Sequence, residues 1–168
     1  MNRKLKLWEL NRPSVDEFKA ASKFPIVLVL DNIRSLSNVG TFFRTADAFN
    51  VSKIYLCGIT APPPHREIQK TALGATESVD WEHVDNIEIL IDRLKEEGFV
   101  ICSVEQTEKT TLLHQLEIDA NQKVALVMGN EVDGVNQSVI DTSDYVVEVP
   151  QFGTKHSLNV SVCAGVVL

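Results

Sequence analysis

The sequence predicts an α/β fold: a parallel sheet covered by helices on both faces. Three observations carry this. Apolar runs of strand length alternate with amphipathic stretches of helical length along the chain. The runs PIVLVL (25–30) and KVALVMG (123–129) are apolar almost throughout, as strands buried on both faces are. Polar, turn-forming segments follow several of the runs, at the strand ends where ligands sit in such sheets.

The elements follow in order. After PIVLVL, Ser37 or Asn38 can cap a helix whose Val39, Phe42, Phe43, Ala46 and Phe49 share one face. A stop at Asn50 leads into the strand KIYLCG (53–58). HREIQKTALGA (65–75) reads as a helix ending at Gly74. ESVDW (77–81) reads as a short strand or extended loop. NIEILIDRLKEEG (86–98) is an amphipathic helix closed by Gly98, and FVICSVE (99–105) is again a strand. A short helix around Leu112–Leu116, the strand 123–129, a helix near Asn136–Ile140 and the strand YVVEVP (145–150) continue the series. In SLNVSVCAGVVL (157–168), Leu158, Val160, Val162, Ala164 and Val166 alternate, which favours a strand, although its small residues also suit a closely packed helix.

With 168 residues, 44% hydrophobic and 23% charged, the chain suits one globular domain with a buried core. A formal charge of −7 argues against coating nucleic acid through bulk positive charge. The charge is uneven, however. Residues 1–23 carry six basic side chains against three acids, whereas residues 77–119 carry twelve acids against three basic groups. Residues 1–24 therefore read as a basic extension, either touching phosphates or simply solvated, ahead of a domain over 25–168. Cys57, Cys102 and Cys163 lie far apart, so neither a disulfide framework nor a zinc site is expected, and no metal is implied. MNRKLKLWEL lacks the apolar stretch of a secretory signal, and no run approaches the ~18 residues of a membrane span, so a cytoplasmic location without membrane contact is expected.

Familiar chemical templates are missing: there is no GxGxxG, GxxxxGK[ST] or GxSxG. The four histidines are scattered, and His156 beside Ser157 does not make a nucleophile–base pair. Three polar segments remain. In DNIRSLSNVGTFFRTADAF (31–49), Arg44 projects opposite the apolar stripe; its ordinary partner would be Asp47 at i+3. Asn38 at the helix start could cap it and meet an anion. In VMGNEVDGV (127–135), Gly129 and Gly134 bracket a polar turn suited to close backbone approach, with Glu131 inside it. In VPQFGTKHSLNVS (149–161), Pro150 and Gly153 frame a loop, and Ser157 could be an N-cap.

Together, NVGTFFRTADAF, VALVMGNEVDGV and VEVPQFGTKHSLNVSVCAG resemble the three motifs of the SpoU (TrmH-like) RNA 2′-O-methyltransferases of the SPOUT superfamily. The resemblance runs from about Pro25 to the end. It departs from the family pattern at Val132, where Gly is common, and at Gln151, where Met is common. What it implies is a C-terminal deep trefoil knot, otherwise foreign to folded chains, a helix rather than a strand over 157–168, a homodimer, and S-adenosylmethionine as cofactor. Backbone groups around Met128, Gly129 and Asn130, around Val149, Pro150 and Gln151, and around Ser157, Leu158 and Asn159 would grip that cofactor. Asn38, Arg44, Glu131, Ser157 and Asn159 match the catalytic positions.

The resemblance thus implies methyl transfer to a ribose 2′-hydroxyl of RNA, with tRNA expected as the target. An rRNA target, or an inactive RNA- or nucleotide-binding α/β module, is the alternative. Arg44 would be central, as a general base or by stabilising the forming alkoxide. The second role is preferred because free guanidinium is too basic to deprotonate a hydroxyl at neutral pH.

Overall fold

The computed structural model describes residues 1–168. The first apolar run forms β1 (Phe24–Asp31), which pairs on one side with β2 (Val51–Cys57) and on the other with β6 (Val124–Met128). β3 (Trp81–Val84) extends the sheet beyond β2. Beyond β6 lie β4 (Val100–Val104), β7 (Tyr145–Glu148) and the two-residue β5 (Thr111–Leu112). The order is β3-β2-β1-β6-β4-β7-β5 and every pairing is parallel. The expected parallel α/β architecture is present.

Alternate residues of the strands point to opposite faces, and each face has its own core. On one, Leu28, Leu30, Ile54, Leu56, Leu126 and Met128 meet Phe42 and Phe43 of α2 (Leu36–Ala48), Ile68 of α3 (Arg66–Ala72), Ala75 of α4 (Ala75–Ser78) and Ala164 of α7 (Val160–Val167). On the other, Val27, Val29, Tyr55, Ala125 and Val127 meet Leu90, Ile91 and Leu94 of α5 (Ile87–Glu96) and Val139 of α6 (Gln137–Thr142). α1 (Val15–Ala20) lies ahead of the sheet, opened by Ser14 and Glu17 in a reciprocal cap. No helix is long and apolar enough to cross a membrane.

Six local expectations are corrected. The cap of α2 is Ser35, whose Oγ accepts from Asn38 N at 3.2 Å, because the Asn38 amide is engaged elsewhere. α3 stops at Ala72: Leu73 (φ 51°) and Gly74 (φ 91°) both turn left-handed, which breaks the ladder before a second short helix, α4. Residues 77 and 78 are consequently helical, and the strand begins only at Trp81. Around Leu112–Leu116 there is one 3₁₀ turn, Leu113–Gln115, after β5. Finally, 160–167 is the helix α7, as the family resemblance implies, and not the strand that its alternation favours. Its cap is Asn159, not Ser157: Asn159 Oδ1 accepts from Ser161 N at 3.0 Å and Val162 N at 3.3 Å. α7 packs on α2, where a Cβ at Gly165 would stand in ordinary contact, 3.9 Å from Thr45 Cγ2.

Candidate active site

A cleft of about 420 Å³ opens at the carboxyl ends of β4, β6 and β7, within the ~300–1,000 Å³ typical of small-molecule sites. One wall is the turn after β6. Asn130 and Gly134 exchange backbone hydrogen bonds of 3.1 and 3.2 Å, and Asn130 Oδ1 accepts from Val132 N and Asp133 N, both at 2.8 Å. The turn is closed tightly. A Cβ on Gly129 would stand 2.1 Å from the Gly134 carbonyl carbon, and Gly134 itself has φ +73°. From the end of β4, Glu105 Oε2 accepts from Val135 N at 3.0 Å and braces this wall. The opposite wall comes from Val147, Glu148, Val149 and Gln151 after β7, and from Ser157, Leu158, Asn159, Val160 and Cys163 at the start of α7.

A chain of polar contacts joins the walls to α2. The Glu131 carboxylate accepts from Arg34 N (3.1 Å), Ser35 N (3.2 Å) and Asn38 Nδ2 (2.9 Å), so it closes the amino end of α2. Asn38 Oδ1 then accepts from Asn159 Nδ2 at 3.1 Å, while Asn159 Oδ1 caps α7 and also accepts from Ser161 Oγ at 2.7 Å. Burial opposes the Glu131 charge, but the Asn38 amide and the backbone N–H groups outweigh it and hold its carboxyl below the ordinary glutamate range. Two helix starts, the turn after β6 and the loop before α7 are thus tied through three side chains.

Residues 25–168 match the family model described as the SpoU rRNA Methylase family. The chain belongs to that family. A 23S rRNA (guanosine-2′-O-)-methyltransferase RlmB of Neisseria meningitidis is 35% identical over 153 residues, which are 91% of this chain and 60% of that protein. The chain therefore spans less than two thirds of the length of this curated relative. Among solved structures, the A. aeolicus TrmH/SpoU tRNA modifying enzyme superposes with a TM-score of 0.80 at 26% identity, covering 91% of this chain and 76% of the other. An AdoMet-bound rRNA methyltransferase from Sinorhizobium meliloti gives 0.79 at 25% identity, covering 91% and 57%.

In this SpoU-family chain, Met128, Gly129, Asn130, Val149, Gln151, Ser157, Leu158 and Asn159 all line the cleft, and Pro150 does not. Of the residues matched to catalytic positions, Glu131, Ser157 and Asn159 line the cleft and Asn38 is buried behind it. Arg44 stands apart: it is exposed on α2, outside the lining, with neither a hydrogen bond nor an ion pair. Its Asp47 neighbour instead accepts from Ser78 Oγ at 2.5 Å. Sequence reasoning missed Glu105 and Cys163. Glu105 ends a strand run, which is itself a signal for a ligand-facing position. Cys163 sits one helical turn beyond Asn159, which a strand reading of that segment conceals.

Proposed function

We propose that this chain is an S-adenosylmethionine-dependent RNA methyltransferase acting on a ribose 2′-hydroxyl. The observation that carries the reading is the cleft itself, lined by eight of the nine positions that the motif match assigns to the cofactor. The chemistry of the lining fits that molecule. Glu105, Glu131 and Glu148 contribute carboxylates, and no Lys or Arg lines the cleft. Such a site suits a cationic, phosphate-free ligand and disfavours a nucleotide polyphosphate. Apolar Met128, Val147, Val149 and Leu158 offer surface for a purine and a thioether chain.

S-adenosylmethionine, when bound, supplies a methyl group on a sulfonium. The chain's own residues do the rest by positioning and electrostatics. Backbone groups of 128–130, 149–151 and 157–159 hold the cofactor. Arg44 binds the ribose 2′-oxygen and a neighbouring phosphate, stabilising negative charge as it develops on that oxygen. Asn38, Glu131 and Asn159 fix the relation of α2 to the cleft, and Ser157 shapes its rim. Because Arg44 lies outside the lining, this role is consistent with a homodimer, in which a second copy completes the site. The knotted C-terminal topology, the division into a basic extension (1–24) and a methyltransferase domain (25–168), and a cytoplasmic location belong to the same reading. Its supports are the family membership, the match beginning at residue 25 and the return of α7 onto α2 after β7.

The target is proposed to be tRNA, supported by the fuller coverage of the A. aeolicus tRNA modifying enzyme. A second reading, rRNA, is favoured by the 35% identical relative named for 23S rRNA guanosine. Calorimetric titration with adenosylhomocysteine, followed by tritiated methyl transfer to bulk tRNA and to deproteinised rRNA, tests both. Digestion to nucleosides should return label only in 2′-O-methyl nucleosides. Label on a base, or no cofactor binding, refutes the proposal; binding without transfer to either RNA supports the inactive module instead.

A further inference from the structure

Trp8 is 75% exposed, an unusual position for an indole, and belongs to neither hydrophobic core. It is nevertheless held. Trp8 lies in the 3₁₀ turn Leu7–Glu9, whose Glu9 Oε2 accepts from Lys6 N at 2.7 Å. The same carboxylate accepts from Nη1 and Nη2 of Arg3, at 3.0 and 2.8 Å. The Lys6 ammonium stands 4.9 Å from the indole ring centroid. Arg3 and Glu9 neutralise each other and Glu17 is taken by the cap of α1, which leaves Lys4, Lys6 and Arg12 as the unpaired basic side chains of the segment nearest Trp8 in sequence. An open aromatic face in a local excess of positive charge, on a chain that is acidic elsewhere, complements a base carried on a phosphate backbone.

We infer that Trp8 and its basic frame form a stacking platform for an unpaired nucleobase of RNA. The inference rests on the methyltransferase reading and deepens it, by assigning the basic extension a share in substrate capture outside the cleft. An anionic membrane surface is the competing partner for a Trp with basic neighbours. Leu5, Leu7 and Leu10 are exposed beside Trp8, but the turn there is three residues long and α1 six, so the segment forms no amphipathic helix of the kind that lies in a membrane interface. Stacking also makes a demand that charge alone does not: it requires an unpaired base.

The test uses the full chain with fluorescein-labelled RNA of about 16 nucleotides, as an unstructured single strand and as a duplex of the same sequence. Trp8→Ala should weaken single-strand binding about 5- to 100-fold and change duplex binding less than about twofold, whereas Trp8→Phe keeps most of the affinity. Emission of Trp8 in a Trp81→Phe background should be quenched by the single strand. Adenosylhomocysteine affinity should stay unchanged in every variant. Equal losses on strand and duplex, no loss in Trp8→Ala, or a loss confined to phosphatidylglycerol vesicles would each overturn the inference. If the parent protein binds adenosylhomocysteine but neither RNA, the platform fails while the cofactor site stands; if it binds none of them, both readings fail.

Discussion

Glu131 and Asn38, 93 residues apart in sequence, share a 2.9 Å hydrogen bond from the Asn38 amide to the carboxylate. Asn38 is 9% exposed and has its other polar atom on Asn159, so its side chain is the link between the turn after β6 and the start of α7. Asn38→Ala should cost about 0.5–1.5 kcal/mol, since it removes one of the three donors to the Glu131 carboxylate and the acceptor of the Asn159 amide. Asn38→Asp should cost more, because it sets a second carboxylate against Glu131. Thermal unfolding of the two variants at neutral pH gives the order; equal midpoints for Asn38→Ala and the parent would mean that the link contributes nothing.

The same contacts give Glu131 a pH signature. Its folded-state carboxyl titrates below the ordinary glutamate value, so the stabilisation is fully present above that value and is lost as pH falls through the depressed one. Glu131→Gln should therefore lower the melting temperature near neutral pH, and the difference should shrink as pH falls past the ordinary glutamate range and vanish only below the depressed folded-state value. The side chain is partly solvated, which limits the effect to about 1 kcal/mol. A difference that persists unchanged into acid would show that the charge is irrelevant and only the shape of the side chain matters.

Gly129 offers a sharper discrimination. A Cβ there would lie 2.1 Å from the Gly134 carbonyl carbon and 2.2 Å from Val135 N, and main-chain atoms in a braced turn have no easy retreat. Overpacking of this kind costs about 1–3 kcal/mol, spent here on distorting a cleft wall. Gly129→Ala should weaken adenosylhomocysteine binding by about tenfold or more, corresponding to ~1.4 kcal/mol. At Gly153 nothing stands within 4 Å of an added Cβ, so Gly153→Ala should bind as the parent does. Calorimetry on the pair separates cleft shape from general loop rigidity.

The legible parts of this chain were those whose physics is local. β1 and β6 are central parallel strands, buried on both faces, and so appear as nearly uninterrupted apolar runs. The buried stripe Val39, Phe42, Phe43 and Ala46 marks α2 by spacing alone. The segments holding Gly129, Glu131 and Asn159 stood out because polar turns follow apolar strands. α7 was not legible from pattern, because an eight-residue helix of valines and small residues owes its form to the Asn159 cap and to contact with α2; only the family resemblance assigned it correctly. The break at Leu73–Gly74 was half visible, through the glycine and not through the leucine that turns first. The Glu131–Asn38–Asn159 chain was invisible as a unit. Its members were singled out as active-site residues, and nothing in their spacing revealed that they bind one another.

Arg44 separates chemistry from folding most cleanly. The side chain is exposed and makes no hydrogen bond or ion pair, so Arg44→Ala should leave stability within about 0.5 kcal/mol of the parent. If the guanidinium stabilises charge on the ribose oxygen, the same change should lower methyl transfer at saturating RNA by about 10²- to 10³-fold. Arg44→Lys should recover little, because an ammonium cannot present two parallel donors to an oxygen and a phosphate. Adenosylhomocysteine affinity should be untouched in both variants, since Arg44 lies outside the cleft lining. Normal turnover in Arg44→Ala would remove the residue from the reaction. A loss matched by a fall in melting temperature would make it a structural residue, contrary to its position on the surface of α2.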